Sequence, residues 1–398
     1  MANKNGGFIG TDGLDAPDPP TGVTPTGGNA SVSVAFTAPT DTGTSAITGF
    51  VAQVSTDGTA YSAGSNTGTS SPIVVSSLSN GTSYTAKVWA INAYGTSAPS
   101  DASSGVAPAL PAANAIHMYD GDKHVTGYNI SSLASAYDFG DARASNQSYS
   151  RCAANNTRIL FGAYVTGKDI TYMTWASGGT ASNFGDDINQ RYYYGALSND
   201  TRAVWVGGAG AGSNPSGGYG IAYSTIASTG NVTDFGNIQT NNEFLQSGLS
   251  NTTRGVVAGG SSRNPAGMEY ITIASAGNST NFGNLLATGR AFGYSQGTAS
   301  SGTRGLYAGG AENSSSNVIE YITIASTGNS TDFGDLTQTD NQQGSSSNKT
   351  RAVFTTGSGN RVMSYVTIAS TGNATSFGSL DDSSHGSAGT SNAHGGLA

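Results

Sequence analysis

One cysteine, Cys152, stands in 398 residues, so no internal disulfide can staple the chain. Charge is scarce too: 16 basic and 24 acidic residues give a net −8, and no Lys/Arg cluster exists to grip phosphates, which argues against nucleic acid as a partner. No stretch approaches 18 apolar residues, so no membrane insertion is expected. The opening MANKNGGFIGTDGLDAPD has no apolar run that would serve as a signal peptide, and synthesis in a cytoplasm without export is the expectation. Helical periodicity is missing throughout, which leaves an all-β chain. What is abundant is glycine: 58 residues where average usage of roughly 7% gives about 28.

Much of that glycine belongs to a repeated phrase. Phe-Gly recurs at Phe139, Phe184, Phe235, Phe282, Phe333 and Phe377, 44 to 51 residues apart. A Thr-Arg pair opens the phrase at Arg158, Arg202, Arg254, Arg304 and Arg351. Between them runs Tyr-x-Thr-Ile-Ala-Ser-x-Gly-Asn, from Tyr223, Tyr270, Tyr321 and Tyr365, with looser versions after Tyr128 and Tyr172. A period of 40 to 50 residues marks an array of units, none of which can bury its apolar face alone. In the unit around Thr303 the alternating runs Arg304 to Gly310, Val318 to Ala325 and Thr331 to Leu336 read as short strands, and Ala291 to Ser300 precedes them as a fourth. Gly-Gly and Ser-Thr-Gly-Asn between them are turn chemistry. Four strands per unit and six units predict a six-bladed β-propeller over residues 114–398. The first unit, at Ala115 to Tyr119, lacks its leading strand, whereas an additional one follows His385. The C-terminal segment is therefore expected to complete the first blade and leave no open edge.

The Gly-Gly pairs at Gly207-Gly208, Gly259-Gly260 and Gly309-Gly310, the Tyr-bearing third strand, the Ser-x-Gly-Asn turn and the aromatic that opens the fourth strand resemble kelch-type propellers. Phe stands where kelch units usually carry Trp, and three repeats lack Gly-Gly.

Upstream, residues 1–17 are polar and Gly-rich and read first as a disordered tail, with a docking arm that would order on a larger assembly as the sharper reading. Residues 18–107 hold about seven short alternating runs, the pattern of a small sandwich. Pro19-Pro20, Phe36, Leu78 with Gly81 and Tyr84, and Asn92-Ala93-Tyr94-Gly95 make this stretch resemble a fibronectin type III domain, which implies a rigid spacer. Residues 108–113 form a short proline-stiffened linker.

The five repeated arginines would make a ring able to hold a carboxylate or sulfate, or would pair with the residue before Phe-Gly, such as Asp332, Asp234 or Asn281. The second reading is preferred, because a residue present in every unit solves a problem each unit shares. The Phe side chains are expected to wedge between units. Tyr192, Tyr193 and Tyr194, with Tyr219 and Arg263 in the loops after second strands, are the candidate glycan contacts, since exposed aromatics stack on sugar rings. Packing between blades is the preferred reading of these aromatics. His117, His124, His385 and His394 have no metal-binding spacing, Asp120-Gly121-Asp122 is only a fragment of a calcium loop, and no catalytic residue or cofactor is expected.

The sandwich joined to a low-charge, Gly/Ser/Thr-rich ring resembles surface appendages of tailed bacteriophages of the cyanophage kind. That resemblance implies a non-enzymatic virion protein, such as a tail fibre. Its arm and sandwich would bind other virion proteins, its loops would meet a host surface polysaccharide, and it would act as a homo-oligomer. Capsid decoration without a ligand, or a polysaccharide-active enzyme, remain the other readings.

Overall fold

The structure is a computed structural model, and it describes residues 15–28, 30–79, 81–108, 114–119, 121–132, 136–144, 151–162, 167–188, 190–208, 219–239, 247–259, 266–286, 297–310, 315–340, 343–355, 361–381 and 387–397. These are all-β, without a helix, and fall into two compact units, Met1–Pro111 and Ala112–Ala398.

The first unit holds six strands: β1 (Thr21–Gly28), β2 (Ser31–Thr37), β3 (Ile47–Ser55), β4 (Gly64–Gly68), β5 (Ile73–Ser76) and β6 (Thr85–Asn92). They form two sheets, β1-β2-β5 and β4-β3-β6. Alternation drives the packing, since Val32, Val34 and Phe36 of β2 face Phe50, Ala52 and Val54 of β3 across one core. The Phe36 and Phe50 rings lie 4.8 Å apart. Buried Tyr84 accepts the Ser79 N–H on its hydroxyl at 3.1 Å.

The seventh run is not a strand. Ser97, Ser100 and Ser103, spaced by three, donate their N–H groups to the carbonyls of Ala90, Val88 and Ala86. Their hydroxyls accept the N–H groups of the same three residues at 2.9 to 3.0 Å. Serine side chains thus satisfy the β6 edge where a regular ladder would use carbonyls.

The second unit contains six sheets. The first has β7 (Ala115–Tyr119), β8 (His124–Tyr128) and β9 (Tyr137–Asp141). The second has β10 (Cys152–Ala154), β11 (Arg158–Phe161), β12 (Asp169–Thr174) and, after the short β13 (Gly179–Thr180), β14 (Ser182–Asp186). The third has β15 (Gly195–Ser198), β16 (Arg202–Val206), β17 (Gly220–Thr225) and β18 (Thr233–Asn237). The fourth has β19 (Ser247–Ser250), β20 (Arg254–Ala258), β21 (Gly267–Thr272) and β22 (Thr280–Asn284). The fifth has β23 (Thr298–Ser300), β24 (Arg304–Ala308), β25 (Ser316–Thr323) and β26 (Thr331–Asp340). The sixth has β27 (Gly344–Ser347), β28 (Arg351–Thr355), β29 (Val362–Thr367) and β30 (Thr375–Ser379). The last strand, β31 (Ser387–Ser391), joins the first sheet antiparallel to β7, with Gly389 opposite His117. All neighbours are antiparallel except β13, which lies parallel to β9. Among the described residues no sheet closes on itself. Their first strands are neighbours in the order β10, β15, β19, β23, β27 and β31, and β31 lies beside β10.

Every Phe of the repeated phrase is the odd residue of a β-bulge between third and fourth strands. In the third sheet Ile221 faces Gly236 and Ala222 faces Asp234, so Phe235 has no opposite number. The same shift recurs around Phe139, Phe184, Phe282, Phe333 and Phe377. A bulge re-aims its side chain, and these rings point into clusters shared with the next sheet. Phe333 packs with Leu306 and Ile319 of its own sheet and with Phe354, Val366 and Ile368 of the sixth. Phe377 does so with Tyr128 and Ile130 of the first.

The following glycine serves close approach. Gly334 sits at φ +144°, and a Cβ there would lie 2.5 Å from the Gly372 carbonyl oxygen. That contact is where the Ser-Thr-Gly-Asn turn of the next sheet docks. Gly372 donates to the Phe333 carbonyl at 2.8 Å, and Asn373 Oδ1 accepts the Asp335 N–H at 3.0 Å. The turns holding Asn231, Asn278 and Asn329 repeat it.

Candidate functional site

The first strands line a cavity of about 50 Å³, its lining mainly Ser, Thr, Gly and Ala, with Cys152 and His394 among them. Room of that size suits a few water molecules. Its wall is a directed run of hydroxyls. Ser198 donates to the Ala154 carbonyl at 2.8 Å, Ser250 to Ser198 at 2.6 Å, Ser300 to Ser250 at 2.8 Å and Ser347 to Ser300 at 2.9 Å; Ser391 donates in turn to the Ser347 carbonyl. Ala154 occupies the equivalent place in the second sheet and has no hydroxyl. Sequence reasoning passed over these serines, although a legible signal existed: Ser198, Ser250, Ser300 and Ser347 each stand four residues before a repeat arginine.

The imidazole of His394 sits at that gap. Nδ1 accepts the Gly396 N–H at 3.0 Å, which leaves the proton on Nε2, 2.9 Å from the Ala154 carbonyl and 3.2 Å from Ser198 Oγ. Burial lowers the His394 pKa, against the pull of the Ala154 carbonyl and the Asp200 charge. Cys152 is buried, and burial pushes its thiol up to about 12, so it is neutral and unreactive while covered.

The repeated arginines have different partners from the acidic or amide residues expected of them. Each guanidinium lies over the tyrosine of its own sheet: Arg158 over Tyr172 at 4.9 Å, Arg202 over Tyr223 at 4.2 Å, Arg254 over Tyr270 at 4.3 Å, Arg304 over Tyr321 at 4.3 Å and Arg351 over Tyr365 at 4.4 Å. Each Nη1 then donates to a main-chain carbonyl of the next sheet, at Ile226, Ile273, Ile324, Ile368 and Ile130 respectively. In the fifth sheet Tyr321 faces Thr331 and Glu320 faces Asp332, so strand alternation turns the residue before Phe-Gly to the side opposite the tyrosine. Each of the five guanidinium groups thus spans one seam between neighbouring sheets.

The tyrosine trio divides. Alternation along a strand would send neighbours to opposite sides, but Tyr193 has φ +56° and breaks it. Tyr192 and Tyr193 are half-buried with ring centroids 5.1 Å apart, edge to face. Tyr194 is fully buried; its hydroxyl accepts the Arg151 N–H at 3.1 Å and its ring meets Trp205. It is therefore unavailable to a glycan. Burial pushes its pKa up to about 12. Tyr219 is half-buried against the core shared by the third and fourth sheets. Arg263 lies outside the described residues, as does Asp120. Arg191, buried beside Tyr192, anchors this corner: Nε donates to Asp187 at 3.0 Å and Nη1 to the Gly207 and Gly220 carbonyls.

The histidines do not converge. Buried His117 has Nδ1 3.0 Å from Thr355 Oγ1, and burial takes its pKa down to about 3. His124 bridges the first and sixth sheets, Nε2 to Asp381 at 3.0 Å. Burial alone would lower its pKa, but the Asp381 hydrogen bond and the charges of Asp381, Asp138 and Asp122 carry it above the usual value. His385 lies outside the described residues. Among the described residues no group of three or more His, Cys, Asp or Glu side chains is placed to hold a metal ion, and no helix is long and apolar enough to cross a membrane.

Comparison with known proteins identifies one part of the chain. The family Fibronectin type III domain matches residues 18–106, and this segment is such a domain. A crystal structure of domains A168–A170 from titin is similar at 29% identity over 25% of this chain and 34% of that one, with a TM-score of 0.23; the chain spans about a third of that structure's length. No curated protein matches the chain.

Proposed function

We propose that the six sheets of residues 114–398 form a six-bladed, kelch-like β-propeller closed by β31, and that the chain is a structural protein of a tailed-phage virion, a tail fibre or similar surface appendage. The observation that carries this reading is the seam chemistry. Arg304 to Ile368, Arg351 to Ile130 and their three counterparts tie each sheet to its successor, and the tie from the sixth sheet returns to the first. Such a scaffold holds its shape without an internal disulfide and suits a particle exposed outside a cell. In this reading the N-terminal arm, residues 1–17, and the fibronectin type III module contact other virion proteins, and copies assemble on the particle. The loops face the host, and the Tyr192–Tyr193 pair, held by Arg191, offers stacking surface to a surface polysaccharide. Imaging of intact particles with an antibody to residues 114–398 tests the assignment; label absent from the particle sinks it. A glycan array probed with the full chain tests recognition, and no binding at millimolar ligand removes that part alone.

A second reading, capsid decoration without a ligand, draws on Tyr194, which is fully buried, and Tyr219, which is half-buried against the core. Label over the capsid shell, away from the tail, decides for it.

A further inference from the structure

The last described residues cross the inner cavity. His394 reaches Ala154 and Ser198, Gly395 donates to the Ser300 carbonyl at 3.0 Å, and Leu397, itself buried, donates to the His394 carbonyl at 3.1 Å. The fit is tight at Gly396, where a Cβ would come within 2.0 Å of the Ser198 carbonyl oxygen and 2.6 Å of Ser250 Oγ. Residues 394–397 therefore touch the first strands of the second, third, fourth and fifth sheets.

We propose that His394 latches residues 394–397 over the cavity, and that its protonation releases the segment and opens the cavity, with Cys152, to solvent. The latch is the pair of bonds made by one imidazole. Its Nδ1 must carry a lone pair to accept the Gly396 N–H. A proton there sets two donors 3.0 Å apart and places a charge among buried hydroxyls and carbonyls, so the closed segment rejects it. Asp200, in the turn after Ser198, is the carboxylate whose charge reaches His394 and draws the proton in; Cys152 lines the same cavity as a neutral thiol. The sign follows: closed His394 titrates below its ordinary value of 6.5. The latch is at full strength above that pH and weakens as pH falls below it. Each unit of separation between closed and released values shifts the closed-to-open ratio about tenfold.

The test is amide hydrogen exchange on the full chain at about pH 7.5 and about pH 5, corrected for intrinsic rates, beside labelling of Cys152 with 4,4′-dithiodipyridine, which reacts with thiols in acid. Protection at Gly395 and Leu397 should fall at the lower pH, with faster Cys152 labelling, while Val204 and Val256 stay protected. His394→Gln, which offers a neutral amide at the same place, should remove the pH dependence. Equal protection at both pH values, or the same loss in H394Q, overturns the proposal. Should H394Q not fold, NMR titration of His394 in the unaltered chain decides: its midpoint must coincide with that of Gly395 deprotection, and a separation of the two refutes the latch.

Discussion

The guanidinium of Arg304 donates to the main-chain carbonyl of Ile368 at 2.9 Å, across 64 residues of sequence and one sheet boundary. The bond makes the arginine part of two sheets at once, because the same group lies 4.3 Å above Tyr321. A charged hydrogen bond contributes about 1.5–3 kcal/mol and the ring contact about 0.5–1. Arg304→Ala should therefore lower unfolding stability by about 2–3 kcal/mol, read from denaturant midpoints. A loss below about 0.5 kcal/mol, the scale of an ordinary surface change, sinks the clamp.

Phe333→Ala should cost about 3–5 kcal/mol, since its ring fills a cluster shared by two sheets. Gly334→Ala should be costly for another reason. Its Cβ meets the backbone at Gly372, which cannot move without breaking the Gly372 to Phe333 hydrogen bond. Amide exchange of Gly372 should accelerate in G334A, and unchanged exchange there refutes the docking role.

Two histidines should bend the stability curve in opposite directions. His117 has its pKa depressed to about 3, so its neutral form stabilises the fold above about 6.5, and that contribution drains away as pH falls from 6.5 toward 3. At about 1.4 kcal/mol per pH unit, the loss by pH 4.5 is roughly 2–3 kcal/mol, and His117→Gln should flatten the acid limb. His124, raised by Asp381, behaves conversely: its stabilisation is complete below about 6.5 and disappears as pH rises through its folded value. His124→Gln should thus cost more at pH 5 than at pH 9. Urea midpoints across pH check both, and parallel curves for the two variants contradict the assignment.

In the fibronectin type III module, Ser100→Ala removes the acceptor of the buried Val88 N–H and should cost about 1–3 kcal/mol. The Val88 amide should exchange faster while Phe50 does not. Equal rates in variant and parent show that the hydroxyl is dispensable.

By itself the sequence determined the all-β class and the fibronectin type III module, because alternation along β2 and β6 and the Tyr84 corner are local patterns that any sandwich must carry. It also displayed the repeat, since Thr-Arg, Tyr-x-Thr-Ile-Ala-Ser and Phe-Gly each stay within one unit's own strands. The partners across the seams were decided only by the tertiary structure. Arg304 was expected beside Asp332, but Asp332 pairs with Glu320 on the face opposite Tyr321, and the Ile368 carbonyl of the next sheet takes the guanidinium instead. Tyr194 was grouped with two half-exposed neighbours until the positive φ of Tyr193 turned it inward. The serine run and the His394 contact with Ala154 join residues 44 to 240 positions apart. A single hydroxyl or imidazole carries no period, so its partner is set by which backbones the folded sheets bring within 3 Å.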